Sequence, residues 1–118
     1  MSMKTIVFDL DHTLCIPQTH ADTQRRYAEA APIPEMIDFL RECYARGAIV
    51  IIFTARRMLT HKGDLTKIEG DVGEVTRDWL AKHDVPYTEL IFGKPYGDFY
   101  IDDKAVNSDE LLEALKQS

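Results

Sequence analysis

The chain reads as an α/β protein with a short parallel sheet, and three observations predict it. Apolar runs of strand length recur at residues 5–8, 48–53, 90–92 and 99–101. Apolar residues at helical spacing lie between the first three runs, from Met36 to Tyr44 and from Val72 to Leu80, and again after the fourth, from Leu111 to Leu115. Strands that alternate with helices imply βαβ units. Finally, each run ends in residues able to do chemistry: Asp9 and Asp11, Thr54, Lys94, and the pair Asp102 and Asp103.

The first run is a fully buried strand by its composition, and it stops in Asp9-Leu10-Asp11-His12-Thr13. Two carboxylates are thereby pushed into one pocket, which is costly unless a cation or a phosphate transfer makes use of them. Pro34 and Glu35 open the first long helix, since proline is tolerated in a first turn, and Gly47 closes it. The second strand delivers Thr54. A helix over residues 72–82 follows, ended by His83-Asp84-Val85-Pro86. The third strand is followed by Lys94. The last helix begins at Asn107, with Glu110 three residues on as a capping-box partner. In an open parallel sheet, ligands lie beyond the carboxyl ends of the strands, so residues at four such ends can meet in one site.

A chain of 118 residues with 45% hydrophobic content suits one core and one domain, spanning residues 1–118. No apolar stretch is long enough to span a bilayer, and residues 1–4 enter the first strand without a signal-peptide pattern, so a cytoplasmic protein without a membrane partner is expected. Cys15 and Cys43 form no Cys-x-x-Cys, which favours reduced thiols over a disulfide framework or a zinc site. The net charge of −6 weighs against a nucleic-acid partner, which needs a clustered basic face.

In its motif order, Asp-x-Asp-x-Thr at Asp9 to Thr13, then Thr54, Lys94 and the Asp102-Asp103 pair, the chain resembles the haloacid dehalogenase superfamily of aspartate-nucleophile phosphatases. Its segments 53–58, 61–64 and 92–104 are most similar to small, capless members associated with capsule and polysaccharide biosynthesis. The resemblance implies a minimal Rossmann-like, three-layer fold with sheet order third, second, first, fourth strand and no cap domain. Six extended residues reach roughly 20 Å, more than the about 14 Å of three inter-strand gaps, so the link from Phe92 to Phe99 is expected to carry the fourth strand past the first. Residues 15–33 and 57–69 are too short for an inserted domain. A neighbouring subunit or the substrate is then expected to close the site.

The resemblance also implies roles. Asp9 is the candidate nucleophile, forming an aspartyl-phosphate, and Asp11 the candidate general acid and base. Thr54 and the Ala55 amide would hold phosphate oxygens, with Leu10 a further substrate-binding position, and Lys94 would balance Asp9 and the incoming anion. Mg²⁺ is the implied cofactor, held by Asp9, the Asp11 carbonyl and Asp103, with Asp102 behind. Arg56 is the candidate for a second anionic or polyol group of the substrate, its alternative being a solvated side chain. The substrate implied is a small phosphorylated metabolite, a sugar or polyol phosphate. His12 stands where the superfamily often has glycine, and reads as a loop residue. The rival reading is a receiver-like or idle phospho-acceptor domain, but a receiver carries its acidic pair after the first strand and its phospho-acceptor after a middle one.

Overall fold

The computed structural model describes residues 4–117. Strand β1 (Thr5–Asp9) pairs in parallel with β4 (Ile49–Thr54), which pairs in parallel with β5 (Glu89–Phe92), so the sheet order is β1-β4-β5. A second, two-stranded sheet joins β2 (Cys15–Ile16) to β3 (Ala31–Pro32), with helix α1 (Thr23–Ala28) between them. Helix α2 (Pro34–Ala45) links β1 to β4 and starts on Pro34, whose missing N–H costs nothing in a first turn. Short helices α3 (Met58–His61) and α4 (Leu65–Ile68) precede a π-helical turn (Glu69–Gly73) that runs directly into α5 (Glu74–Lys82). Helix α6 (Ser108–Lys116) is capped by Asn107, whose side chain accepts from the Asp109 and Glu110 amides.

Registry fixes which face of the sheet is buried. Ile6, Phe8, Val50, Ile52 and Leu90 share one face, and all join the core that Met36, Ile37 and Leu40 of α2 and Trp79 and Leu80 of α5 complete. Both crossovers run β-α-β in the same direction across the sheet, so α2 and α5 lie on the same side, as right-handed connections require. The Trp79 indole donates to the Ala30 carbonyl at 2.9 Å and pins α5 to the end of α1. The opposite face carries Val7, Ile49, Ile51, Phe53 and Ile91, none of which joins a core cluster among the described residues. Val7 is 57% exposed. The expected three layers are therefore two: one sheet and one helical layer.

The fourth strand does not form among the described residues. Residues 99–101 are irregular, with Phe99 87% and Ile101 99% exposed. Lateral reach alone does not place the fourth strand. A strand parallel to β1 must start at the far end of the sheet, so the chain has to travel back along the strands as well as across them. Such a connection takes a dozen or more residues, and six separate Phe92 from Phe99.

Candidate active site

The site lies at the carboxyl ends of β1 and β4, where Asp9 sits opposite Phe53 and next to Thr54 in the ladder. Asp9 is half-buried, and burial is the main reason its carboxyl is held above the ordinary range, against the opposing pull of Lys94. Lys94 Nζ stands 3.5 Å from Asp9 Oδ1. The lysine is positioned by its own backbone, whose N–H donates to the Thr54 carbonyl at 3.1 Å. Gly93 makes that possible: it turns the chain with φ of 97°, in the left-handed region that favours glycine.

After Asp9 the backbone closes a tight turn. The Leu10 carbonyl accepts from the amides of Thr13, Leu14 and Cys15, and the Leu10 side chain is fully buried. Leu10 thus serves the site through its N–H, which supports the Asp9 carboxylate, and its side chain cannot touch a substrate. His12 takes φ of 66°, which explains why glycine suits this position; its ring is exposed.

Asp11 and Arg56 form the centre of a buried network. Arg56 Nη2 lies 2.8 Å from Asp11 Oδ1, and Nε reaches Oδ2 at 3.0 Å. Nη1 donates to Thr76 Oγ1 at 2.9 Å, and the guanidinium stacks 4.1 Å from the centre of the Tyr27 ring. Arg56 is only 3% exposed, so neither expected role, solvated arginine or grip on a leaving group, describes it. It is a positioning residue for Asp11. Cys15 Sγ adds a contact to Asp11 Oδ1 at 3.4 Å. Burial, then the nearby Asp11 charge, pushes the Cys15 thiol up to about 12, which keeps it protonated and unreactive.

Thr54 is buried, with its hydroxyl accepting the Arg56 amide at 3.1 Å, and the Ala55 carbonyl accepts from Met58. Arg57 turns away from the site to Asp71 of the π turn at 2.9 Å, where His61 also meets that carboxylate at 2.8 Å. This cluster ties the segment after β4 to the π turn. Sequence reasoning missed Cys15 and Thr76 as members of the site. Thr76 had a readable signal, a hydroxyl on the stripe that runs from Val72 to Leu80, whereas Cys15 had none.

Asp102 and Asp103 do not join the others. Both are exposed, and Asp102 Oδ1 accepts the Lys104 amide at 2.8 Å. Among the described residues no three acidic, histidine or cysteine groups come together to hold a metal ion. A single chain therefore does not fit the implied Mg²⁺ site: Asp9 and Asp11 are present, while the acidic pair stands outside. A cavity of about 390 Å³ is bordered by Arg41, Leu80 and Val85 beyond the end of α5, and Arg41 there is occupied by the His83 and Asp84 carbonyls.

No family model matches the chain, and no curated protein matches it. Among solved structures, it is similar to a Vibrio cholerae protein known from its crystal structure, with 37% identity, a TM-score of 0.83, and coverage of 98% of this chain and 95% of that one. A chain of the Pnkp1/Rnl/Hen1 RNA repair complex shares the fold at 17% identity and a TM-score of 0.57, over 96% of this chain and 30% of that one. The D,D-heptose 1,7-bisphosphate phosphatase from B. bronchiseptica, complexed with magnesium and phosphate, does so at 18% identity and a TM-score of 0.50, over 87% of this chain and 54% of that one. The chain belongs to the same family as the Vibrio cholerae protein, and its α/β fold is one that also carries a sugar bisphosphate phosphatase.

Proposed function

We propose that the protein is a phosphomonoester hydrolase of the haloacid dehalogenase type, acting through an aspartyl-phosphate at Asp9. The observation that carries this reading is the pairing of Asp9 with Lys94 at 3.5 Å, beside Thr54, at the carboxyl ends of parallel strands. The fold shared with a phosphatase that binds magnesium and phosphate supports it. The receiver-like rival lacks support in the same geometry, since the middle strand ends in Thr54 where a receiver needs its phospho-acceptor.

In the first step an Asp9 oxygen attacks phosphorus and the bond from phosphorus to the ester oxygen breaks. The leaving alcohol takes its proton from Asp11, and the phosphoryl group stays on Asp9. In the second step water attacks the same phosphorus, Asp11 takes its proton, and inorganic phosphate leaves. Arg56 holds Asp11 through both oxygens, yet Oδ2 carries one protein hydrogen bond and keeps capacity for the water. Lys94 offsets the charge of Asp9 and of the arriving phosphate. The substrate class is a small phosphorylated sugar or polyol used in polysaccharide assembly, a reading that rests on the resemblance of residues 53–58, 61–64 and 92–104.

The test is a screen of phosphorylated metabolites with Mg²⁺, reading released phosphate, alongside the Asp9→Asn variant. Turnover of at least one ester that falls at least about a thousandfold in Asp9→Asn is expected for loss of the nucleophile. Unchanged phosphate release by that variant would overturn the mechanism.

A further inference from the structure

Three features of the chain stand unexplained by its own fold. The outer edge of β1 has no strand partner among the described residues. The sheet face that includes Val7 lies bare beside that edge. Residues 99–106 form an exposed arm with Phe99, Ile101 and Val106 all turned to solvent and the acidic pair in its middle. Exposed apolar side chains in such a run mark a surface that is covered in the working molecule. The radius of gyration, 14.5 Å, exceeds the roughly 13.5 Å of a compact chain of this length, as a projecting arm requires.

The arm cannot serve its own sheet edge. To bring Asp102 and Asp103 beside Asp9, it must run along β1 in the same direction, toward the carboxyl end. Lys94 is already bound there, by its backbone to Thr54 and by its side chain to Asp9. Only residues 95–98 remain to descend the length of the sheet and turn back, and a parallel connection needs about a dozen. The base of the arm is also fixed. The Tyr100 hydroxyl donates to the Pro95 carbonyl at 2.7 Å and accepts the Gly97 amide at 3.0 Å, while Lys94 Nζ lies 4.4 Å from the ring centre. This clasp folds residues 95–100 back on themselves.

We propose that the site is completed by a second copy of this chain: the arm of one protomer lies along the free edge of β1 in the other and brings Asp102 and Asp103 to the partner's Asp9 and Asp11. The exchange is reciprocal, so a two-fold dimer contains two shared sites, and the outer edge of β1 is covered in both protomers. It resolves the disagreement between the implied cation site and a single chain. A strand edge supplies backbone partners for the arm, and the bare face supplies apolar contact for Phe99 and Ile101. The proposal deepens the phosphatase reading, and it is tested both with that reading and without it.

Sedimentation equilibrium of the full chain at micromolar concentration is expected to give a dimer, and a monomer at every concentration overturns the proposal. In the arm of the test that needs activity, differently tagged Asp9→Asn and Asp102→Asn/Asp103→Asn chains are unfolded, mixed and refolded together. Half of the dimers are then hybrids with one intact site of two, so about a quarter of the wild-type rate is expected from two inactive parents. An active wild type whose mixture stays at the parental level overturns sharing and leaves the phosphatase reading standing. The second arm is blind to activity. In a Cys43→Ser background, Val7→Cys and Ile101→Cys chains are mixed under mild oxidation, with a disulfide between the two tagged chains expected. Efficient closure within one chain by the Val7→Cys/Ile101→Cys double variant, with no cross-chain product from the mixture, overturns the proposal even if no ester is hydrolysed.

Discussion

Arg56 shows how far a single side chain can depart from its reading in the sequence. Placed one residue beyond Ala55, whose amide the sequence reading expects to hold phosphate, it invites a role in gripping substrate, yet its side chain points inward to Asp11, Thr76 and Tyr27. Removing it leaves a mostly buried carboxylate without its counter-ion, a change that costs several kcal/mol when the pair is wholly dry. Asp11 retains some exposure, so Arg56→Ala is expected to lose about 2–3 kcal/mol in urea unfolding, and to lower kcat on every ester by a similar factor. Arg56→Lys should not rescue it, because one ammonium cannot bond Asp11 twice and reach Thr76 as well. A rise confined to KM for one substrate would return Arg56 to the substrate. Asp9 supplies a second residue-scale expectation. Its folded carboxyl is held above its ordinary range, mainly by burial, so ionising it costs stability that is present at low pH and lost as pH rises through the folded pKa. Asp9→Asn should therefore melt at a higher temperature than the wild type at pH 7. That advantage should shrink as pH falls toward 3.8, the unfolded value. Thermal melts across this window check the sign, and a variant less stable at pH 7 than at acid pH, relative to wild type, would contradict it.

At the scale of elements, the helix expected over residues 72–82 is the latter part of a longer helical stretch. Asp64 caps it at Leu65, its side chain accepting the Lys67 amide at 3.2 Å, and the π turn inserts a residue between α4 and α5. Periodicity could not show this, because a π turn breaks the 3.6-residue spacing on which the reading depends, and Gly70 and Gly73 look like helix breakers. The turn has a use: it presents Asp71 to Arg57 and His61 and still leaves Thr76 facing Arg56. Two glycines in this region are predicted to respond in opposite ways. A methyl on Gly73 meets only the flexible ends of Glu69 and Arg77, an exposed pair that can shift, so Gly73→Ala should be neutral or gain up to about 1 kcal/mol from helix propensity. At Gly93 the φ is positive and a methyl would sit 2.7 Å from Leu65 Cδ2, so Gly93→Ala should lose at least about 1 kcal/mol and loosen Lys94. Chemical denaturation of both variants, with phosphate release for the second, checks the contrast.

For the whole molecule, the parallel strands and the convergence of Asp9, Thr54 and Lys94 were legible because they follow from local patterns and a general rule about strand ends. The missing fourth strand and the bare sheet face were not, since they depend on the direction in which six residues must travel, a property that no window of sequence contains. Charge is the remaining global property, and it bears on the fold shared with a protein of an RNA repair complex. The chain carries a net charge of −6, and six of its seven arginines, at positions 25, 41, 46, 56, 57 and 77, are paired with carboxylates of their own chain. The seventh, Arg26, donates to the His20 carbonyl. Pairs of this kind neutralise the field that a polyanion would need, whereas Lys94 beside Asp9 still faces a single phosphate at short range. A labelled single-stranded oligonucleotide bearing a terminal phosphate should therefore show no binding in fluorescence anisotropy at about 150 mM salt, where the Debye length is about 8 Å, and only weak binding as salt is lowered. Small sugar phosphates should compete for turnover under the same conditions, and an oligonucleotide affinity that climbs by several powers of ten between about 200 and 50 mM salt would point instead to a polynucleotide substrate.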